Sequence, residues 1–258
     1  MSLGSTQIPV HEVFLGAGIS AFFTTRFAGL SKPPWNELNL GANVGDDLVT
    51  VLANRALVAE RLGSPVQFAE QVHANTVLTL EAPAAGESAS CGRGDALVTD
   101  RAGLGLGVLV ADCVPILLAD AGAGVVATSH TGRAGLQCGV LGNTVAAMVA
   151  KGARTESIRA VVGPCVCPRC YEVPAALAQD FARDTGVTPS ATRWGTTGLD
   201  LRAAAHGDLA RAGIEYITDV DLCTLEEDQF FSHRRATKNG APTGRFAGII
   251  ALQTTGCG

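Results

Sequence analysis

Three short segments concentrate the side chains able to do chemistry: Gln71-Val72-His73, Ala111-Asp112-Cys113 and Ser129-His130. They supply two imidazoles and one thiol, each at or near the end of an apolar run that reads as a strand. Imidazole and thiolate are preferred zinc ligands. Three protein ligands without an obvious fourth leave one coordination position open, the pattern of a catalytic rather than a structural metal. The same residues allow a second chemistry, with Cys113 as a thiolate nucleophile and His130 or His73 as its base. Asp112 sits inside the run VLVADCVPILLAD, where a buried carboxylate needs a partner or an ion. It is a candidate general acid or base. Each residue also has a plain reading: His73 a satisfied core histidine, Asp112 a turn residue between two strands, Cys113 a small core hydrophobe. Three such strand ends together favour a shared site.

Candidate anion binders are scattered. Thr24-Thr25-Arg26 ends the first strand, Arg133 follows the last histidine, and Ser232-His233-Arg234-Arg235 with Thr243-Gly244-Arg245 bracket a polar loop. Arginine forks suit phosphate or carboxylate, although a solvated hairpin loop explains the C-terminal pair equally well. No phosphate loop of the G-x-x-x-x-G-K-[ST] type occurs, and Gly103, Gly105 and Gly107 precede a strand rather than a helix. Cys165, Cys167 and Cys170 form C-x-C-x2-C with no fourth ligand at a typical spacing. Structural zinc and iron–sulfur sites use four ligands, so a loop with small thiols is the favoured reading.

The elements that must position these residues follow from periodicity and punctuation. Strands are expected at 19–26, 66–73, 76–80, 95–99, 106–111, 115–118, 124–129, 158–162 and 246–252, with short candidates at 216–217 and 229–233. Several are continuously apolar, as in sheets covered on both faces. Segments 27–44 and 83–94 read as loops. Helices are expected from a cap at Asp46 or Asp47 to about 62, and at 132–150, 174–183 and 199–212, the second weakened by Gly135, Gly139 and Gly142. Several strands precede the long helix, which argues against a regular βαβ alternation. The expectation is one α/β domain of about ten strands with mixed sheets.

The chain has 258 residues, 47% of them hydrophobic and 17% charged, enough apolar material for a sizeable core and too little charge for a disordered chain. A net charge of −5 without a Lys/Arg run argues against a nucleic-acid surface. The most apolar stretch, 104–126, is interrupted by Asp112 and Asp120, so no membrane span is expected, and the N-terminus lacks a secretory pattern. A cytoplasmic setting with reduced thiols is expected for the eight cysteines. Residues 1–15 are expected as an N-terminal extension to a single domain at 16–258.

Taken in order, the segments FFTTRFAGLS, LNLGANVGDD, QVHANTV, GDALVTDRAGLGLGVLVADCVPILLAD, SHTGRAGLQCGVL, VGPCVCPRCYEV, DLRAA and FFSHRRATKNGAPTGRFAGIIAL span almost the whole chain. Through them it resembles the YfiH-like, or laccase-domain, family, variously described as polyphenol oxidase, purine nucleoside phosphorylase and peptidoglycan editing factor. The resemblance implies a four-layer α/β/β/α arrangement and a zinc site of His73, Cys113 and His130, with copper as the alternative metal. It implies phosphorolysis of adenosine, inosine, guanosine and methylthioadenosine, adenosine deamination, and Asn39, Arg55 and Asp112 as site-lining residues. Purine nucleoside and phosphate are then the partners, and the chain a monomer or small homo-oligomer. Two alternatives stand beside it: a Cys113 hydrolase editing cell-wall precursors, and weak copper-dependent phenol oxidation. Departures from the family pattern occur. Where the family commonly reads H-A-G-W-R-G, this chain has His130-Thr131-Gly132-Arg133-Ala134-Gly135, so Arg133 would have to replace an arginine lost at 134. QVHG becomes Gln71-Val72-His73-Ala74, with an expected loss of backbone freedom at 74.

Overall fold

Strands that are apolar on both faces need cover on both sides, and two stacked sheets between helices provide it. The computed structural model describes residues 7–83 and 90–254. One sheet has the order β1-β2-β13-β6-β3, from Val10–Glu12, Ile19–Thr24, Phe246–Leu252, Gly105–Val110 and Val66–Phe68. The other has the order β12-β9-β7-β8-β5-β4, from Tyr216–Asp219, Arg159–Val162, Val114–Asp120, Val125–Thr131, Ala96–Thr99 and Val77–Thr79. A two-stranded ribbon pairs β10 (Ser190–Ala191) with β11 (Thr197–Gly198). Both large sheets are mixed: β3–β6, β4–β5 and β12–β9 run parallel, the remaining pairs antiparallel.

Alternation along single strands divides the core into three. On β13, Phe246 and Ile250 face the second sheet, while Ala247 and Ile249 face the layer of α1 (Leu48–Leu62). On β7, Leu117 and Ala119 join the inter-sheet core, and Ile116 and Leu118 join the core under the helices α2 (Arg133–Gln137), α3 (Val140–Ala150), α4 (Ala175–Thr185) and α5 (Leu201–Arg211). This is the expected α/β/β/α layering, and period-two side-chain direction produces it.

Local signals hold at α1, where the Asp47 carboxylate accepts from Thr50 N at 2.9 Å and Gly63 closes the helix in the left-handed region at φ 80°. Elsewhere the structure corrects the sequence reading. The expected helix over 132–150 is two helices, divided at Cys138 and Gly139, the latter at φ 78°. No strand forms at 229–233. Phe230 and Phe231 are buried aromatic anchors, and Ser232 accepts from Arg235 N to cap a short helix, α6 (His233–Lys238). Residues 66–73 and 76–80 keep only β3 and β4 as strand, which frees 69–76 as a loop. The expected N-terminal extension is partly integrated: β1 pairs antiparallel with β2, and Ile8 and Leu15 are buried. Within the expected loop 83–94, residues 84–89 lie outside the described residues, as do 1–6.

Candidate metal centre and cavity

The three strand-end segments converge. One donor atom each from His73, Cys113 and His130 lie within 4.8 Å of one another, and the two imidazole rings meet edge to face with centroids 4.7 Å apart. Their surroundings differ: His130 is buried, Cys113 half-buried and His73 exposed. The cluster is therefore closed towards the core and open on the His73 side.

Backbone geometry places the candidate ligands. His73 at φ 59° and Asp112 at φ 92° occupy the left-handed region, which non-glycine residues enter at a cost that surrounding contacts must offset. For His73 those contacts come from Asp95. Its Oδ1 accepts from His73 N at 2.9 Å, and its Oδ2 from Ala74 N at 2.8 Å and Val72 N at 3.2 Å. The same Oδ1 bonds His130 Nδ1 at 2.8 Å. Asp95 thus clamps one ligand's backbone and the other's ring, leaving His130 Nε2 as the nitrogen available to Cys113 or a metal. Burial alone would raise the Asp95 carboxyl. His130 and the loop N–H groups outweigh it and hold the group below the usual carboxylate range. Gln71 pins the loop to the sheet through Leu109, donating to its carbonyl at 2.7 Å and accepting from its N–H at 2.8 Å.

Asp112 does the corresponding work for Cys113. Its carboxylate accepts from Thr224 Oγ1 and from Arg234 N, both at 2.6 Å, tying the turn before the thiol to α6. Both oxygens are engaged and Asp112 is not among the cavity-lining residues, so the geometry suits positioning better than the expected acid–base role. Gly132 leaves room for the cluster: a Cβ there would stand 2.9 Å from Cys113 Sγ. Ala74, where lost backbone freedom was expected, is not among the positive-φ residues; the left-handed conformation belongs to His73.

The electrostatics couple the pair. Burial pushes the Cys113 thiol up, but His130 and His73 overcome it and bring it down to about 6. Burial pushes His130 down, but Cys113 and Asp95 overcome it and bring the imidazole up to about 9. Without metal this is a thiolate–imidazolium pair. Two imidazoles and a low-pKa thiolate, with His130 oriented by a carboxylate, fit a divalent ion of the zinc type.

The cluster forms part of the wall of a cavity of about 550 Å³, lined also by Arg55, Gln71, Glu70, His233 and Arg245. Arg55 donates from Nε to Leu40 O at 2.9 Å and lies over the Phe68 ring, and burial brings its pKa down to about 10, which leaves it charged at neutral pH. Arg245 is lowered by burial too, and its guanidinium reaches the Thr243 and Gly244 carbonyls at 3.2 and 3.0 Å. Asn39 does not line the cavity. It is buried and accepts from Gly41 N and Arg245 N, each at 2.9 Å, so it sets the position of two lining residues. Arg26, Arg133 and Arg235 are also absent from the lining. Arg26 donates to Asn36 O at 2.7 Å and stacks on Phe231, Arg133 bonds Gln137, and Arg235 bonds Asp228 and backbone carbonyls of the same loop. The sequence reading gave no site role to Asp95, or to Gln71 and His233, although both of the latter lay in segments it singled out. Asp95 carried one signal, an acidic residue directly ahead of a continuously apolar strand.

Residues 20–253 match the family described as Multi-copper polyphenol oxidoreductase laccase. The chain is 45% identical over 233 residues to a purine nucleoside phosphorylase of Streptomyces griseus, covering 89% of this chain and 93% of that protein. It is 43% identical over 255 residues to a purine nucleoside phosphorylase of Corynebacterium glutamicum, covering 97% and 98%. The crystal structure of a Neisseria meningitidis protein superposes with a TM-score of 0.84 at 33% identity, covering 96% of this chain and 100% of that one.

Proposed function

The chain belongs to this laccase-domain, YfiH-like family, and from that premise we propose that it is a purine nucleoside phosphorylase. Its substrates are adenosine, inosine, guanosine and methylthioadenosine, with adenosine deamination as a second activity of the same site. The observation that carries the reading is one cavity lined by both the His73–Cys113–His130 cluster and two half-buried cations, Arg55 and Arg245. About 300–1,000 Å³ is the usual range for small-molecule sites, and this cavity falls within it.

Phosphorolysis needs an anion held beside the ribose. Arg55 and Arg245 bind phosphate, and a phosphate oxygen attacks C1′ as the C1′–N9 bond breaks, giving ribose 1-phosphate. The purine departs with the bonding electron pair and takes up a proton. His233, a titratable cavity residue outside the ligand cluster, is the donor in this reading. Asp95 and Asp112, outside the cavity lining, hold the backbone and rings in place, and Gln71 ties the loop of His73 to Leu109. His73, Cys113 and His130 would hold zinc, which supplies Lewis-acid charge stabilisation and, for deamination, an activated water. Copper is the alternative ion. Oxidase chemistry needing several coppers would need more histidines, and His11 and His206 are bonded to Gln229 and Asp219 instead.

The test is chromatographic release of free base from inosine and adenosine, with and without phosphate, by the native protein and Cys113→Ala. Release that requires phosphate and disappears in the variant is expected. Release without phosphate, or at full rate in Cys113→Ala, would sink the reading. A second reading, Cys113-centred amide or ester hydrolysis, is favoured by the low thiol pKa beside His130. Stoichiometric metal bound through Cys113 in the purified protein would argue against it.

A further inference from the structure

Two cysteines of the segment that lacked a full ligand set in sequence acquire two partners in space. Cys167, Cys170, Cys223 and Glu226 bring three thiol sulfurs and a carboxylate oxygen within 4.8 Å of one another. We propose that these four residues form a second metal site, a closed structural centre for a divalent, thiophilic ion of the zinc type. It is separate from the cavity, whose lining contains none of them.

Two chain segments with the same local design build it. In the first, Cys170 N and Tyr171 N both donate to Cys167 O, at 2.9 and 3.0 Å. In the second, Glu226 N and Glu227 N both donate to Cys223 O, at 3.1 and 2.9 Å. Each segment is therefore a tight turn presenting ligands at positions i and i+3, C-x2-C in one and C-x2-E in the other. The turns are held face to face. Cys165 and Cys223 form a parallel bridge, Thr224 N donates to Cys165 O at 3.1 Å, and Cys167 N points at Cys223 Sγ at 3.3 Å. An N–H aimed at sulfur stabilises a thiolate, as outer-shell donors do in metal sites.

Size and charge agree with this assignment. A tetrahedral site with metal–sulfur bonds of about 2.3 Å has ligand–ligand edges of about 3.8 Å, so the four atoms need to draw in by at most about 1 Å. Three thiolates and a carboxylate around a divalent ion leave two net negative charges. Arg169 and Arg193 both pair with Glu226 at 3.3 Å and supply the two positive charges that offset them. Cys170 and Cys223 are buried, Cys167 is half-buried and Glu226 is exposed, so protein encloses the sulfur side of the centre and the carboxylate closes it at the surface. The site also connects to the first one. Thr224, next to Cys223, donates to the Asp112 carboxylate, and Val166 N donates to Asp112 O at 3.0 Å. An ion at this centre braces the turn that presents Cys113.

The test uses the full chain, purified under reductant, with zinc content measured by elemental analysis and Co²⁺ as a spectroscopic probe. Cys113→Ala removes a ligand of the cavity site. The expected result is that this variant still retains one zinc per chain and, loaded with Co²⁺, shows the intense visible absorption of a tetrahedral thiolate-rich site. Adding Cys170→Ser to Cys113→Ala abolishes both. Should that double variant fail to fold, Glu226→Gln in the Cys113→Ala background decides: it preserves the sulfurs, and the expected outcome is at least a tenfold weaker zinc affinity with a shifted Co²⁺ spectrum. Cys113→Ala protein without zinc or a thiolate cobalt spectrum would overturn the proposal. So would a spectrum unchanged by Cys170→Ser or Glu226→Gln, or a disulfide among the three cysteines in the reduced preparation.

Discussion

The two thiol clusters use similar donors for opposite ends. The His73–Cys113–His130 cluster is assembled from the loop between β3 and β4, the turn between β6 and β7 and the end of β8, mixes nitrogen and sulfur, and opens through exposed His73 into the cavity. The Cys167–Cys170–Cys223–Glu226 cluster is assembled from two tight turns, is mostly sulfur, and has its charge matched by arginines at its edge. A strand end and two anchored loops hold these side chains at the rim of the sheets and leave one side free for substrate. Paired turns supply four ligands, the exposed one Glu226, and a four-ligand site has no open position for substrate. On the two proposals the first cluster does chemistry and the second braces the fold.

The sharpest way to break that division is Cys113→Ala. Phosphorolysis should fall by about a hundredfold or more, the scale of losing an essential group, while the thermal midpoint stays near that of the native protein. A large drop in the midpoint would instead make the first cluster structural. Next in size is Asp95→Asn, which weakens the clamp on His130 and the His73 loop. Loss of such an outer-shell carboxylate lowers metal affinity by about 10- to 100-fold, read by competition with a chelator. Arg55→Met and Arg245→Met each remove a charge-assisted contact worth about 1.5–3 kcal/mol. KM for phosphate should therefore rise about 10- to 100-fold with a smaller change in kcat; unchanged KM in both variants would remove the arginines from the anion site.

The pH behaviour of metal-free protein separates the clusters as well. With the Cys113 thiol near 6, its alkylation by iodoacetamide should climb through about pH 6 and level off by about pH 7, whereas Cys170, which burial raises, should remain slow throughout. Stability should not follow that titration. The lowered Cys113 pKa favours the folded state at high pH and loses its contribution as pH falls from 9.0 to about 6. The raised His130 pKa contributes fully below 6.5 and is lost as pH rises to about 9. The folded pair and the unfolded chain then carry nearly equal proton counts, so the two slopes cancel and unfolding free energy is flat over this window as far as the pair is concerned. The smallest expected effect is Ala74→Gly. Residue 74 needs no left-handed conformation, so glycine adds only unfolded-state entropy and should cost about 0.4–1 kcal/mol, with activity unchanged.

Much of this was present in the chain as text. Continuous apolar runs announced strands covered on both faces, a cap at Asp46 or Asp47 announced the start of α1, and the residue types at 73, 113 and 130 announced side chains able to bind metal or act as nucleophile, because ligand chemistry belongs to the side chain itself. What sequence could not settle was which polar residues would be neighbours. Asp95 became the clamp of two ligands only because β5 pairs with β8 and brings its N-terminal end against the loop of His73. Arg55 and Arg245 reached the cavity while Arg26, Arg133 and Arg235, equally cationic in sequence, found backbone or side-chain partners elsewhere. Cys167 and Cys223 meet although 56 residues separate them. Residue type sets which chemistry a side chain can do and local periodicity sets its element. Long-range strand pairing and loop packing, whose partners lie far along the chain, determine which of those side chains share a site.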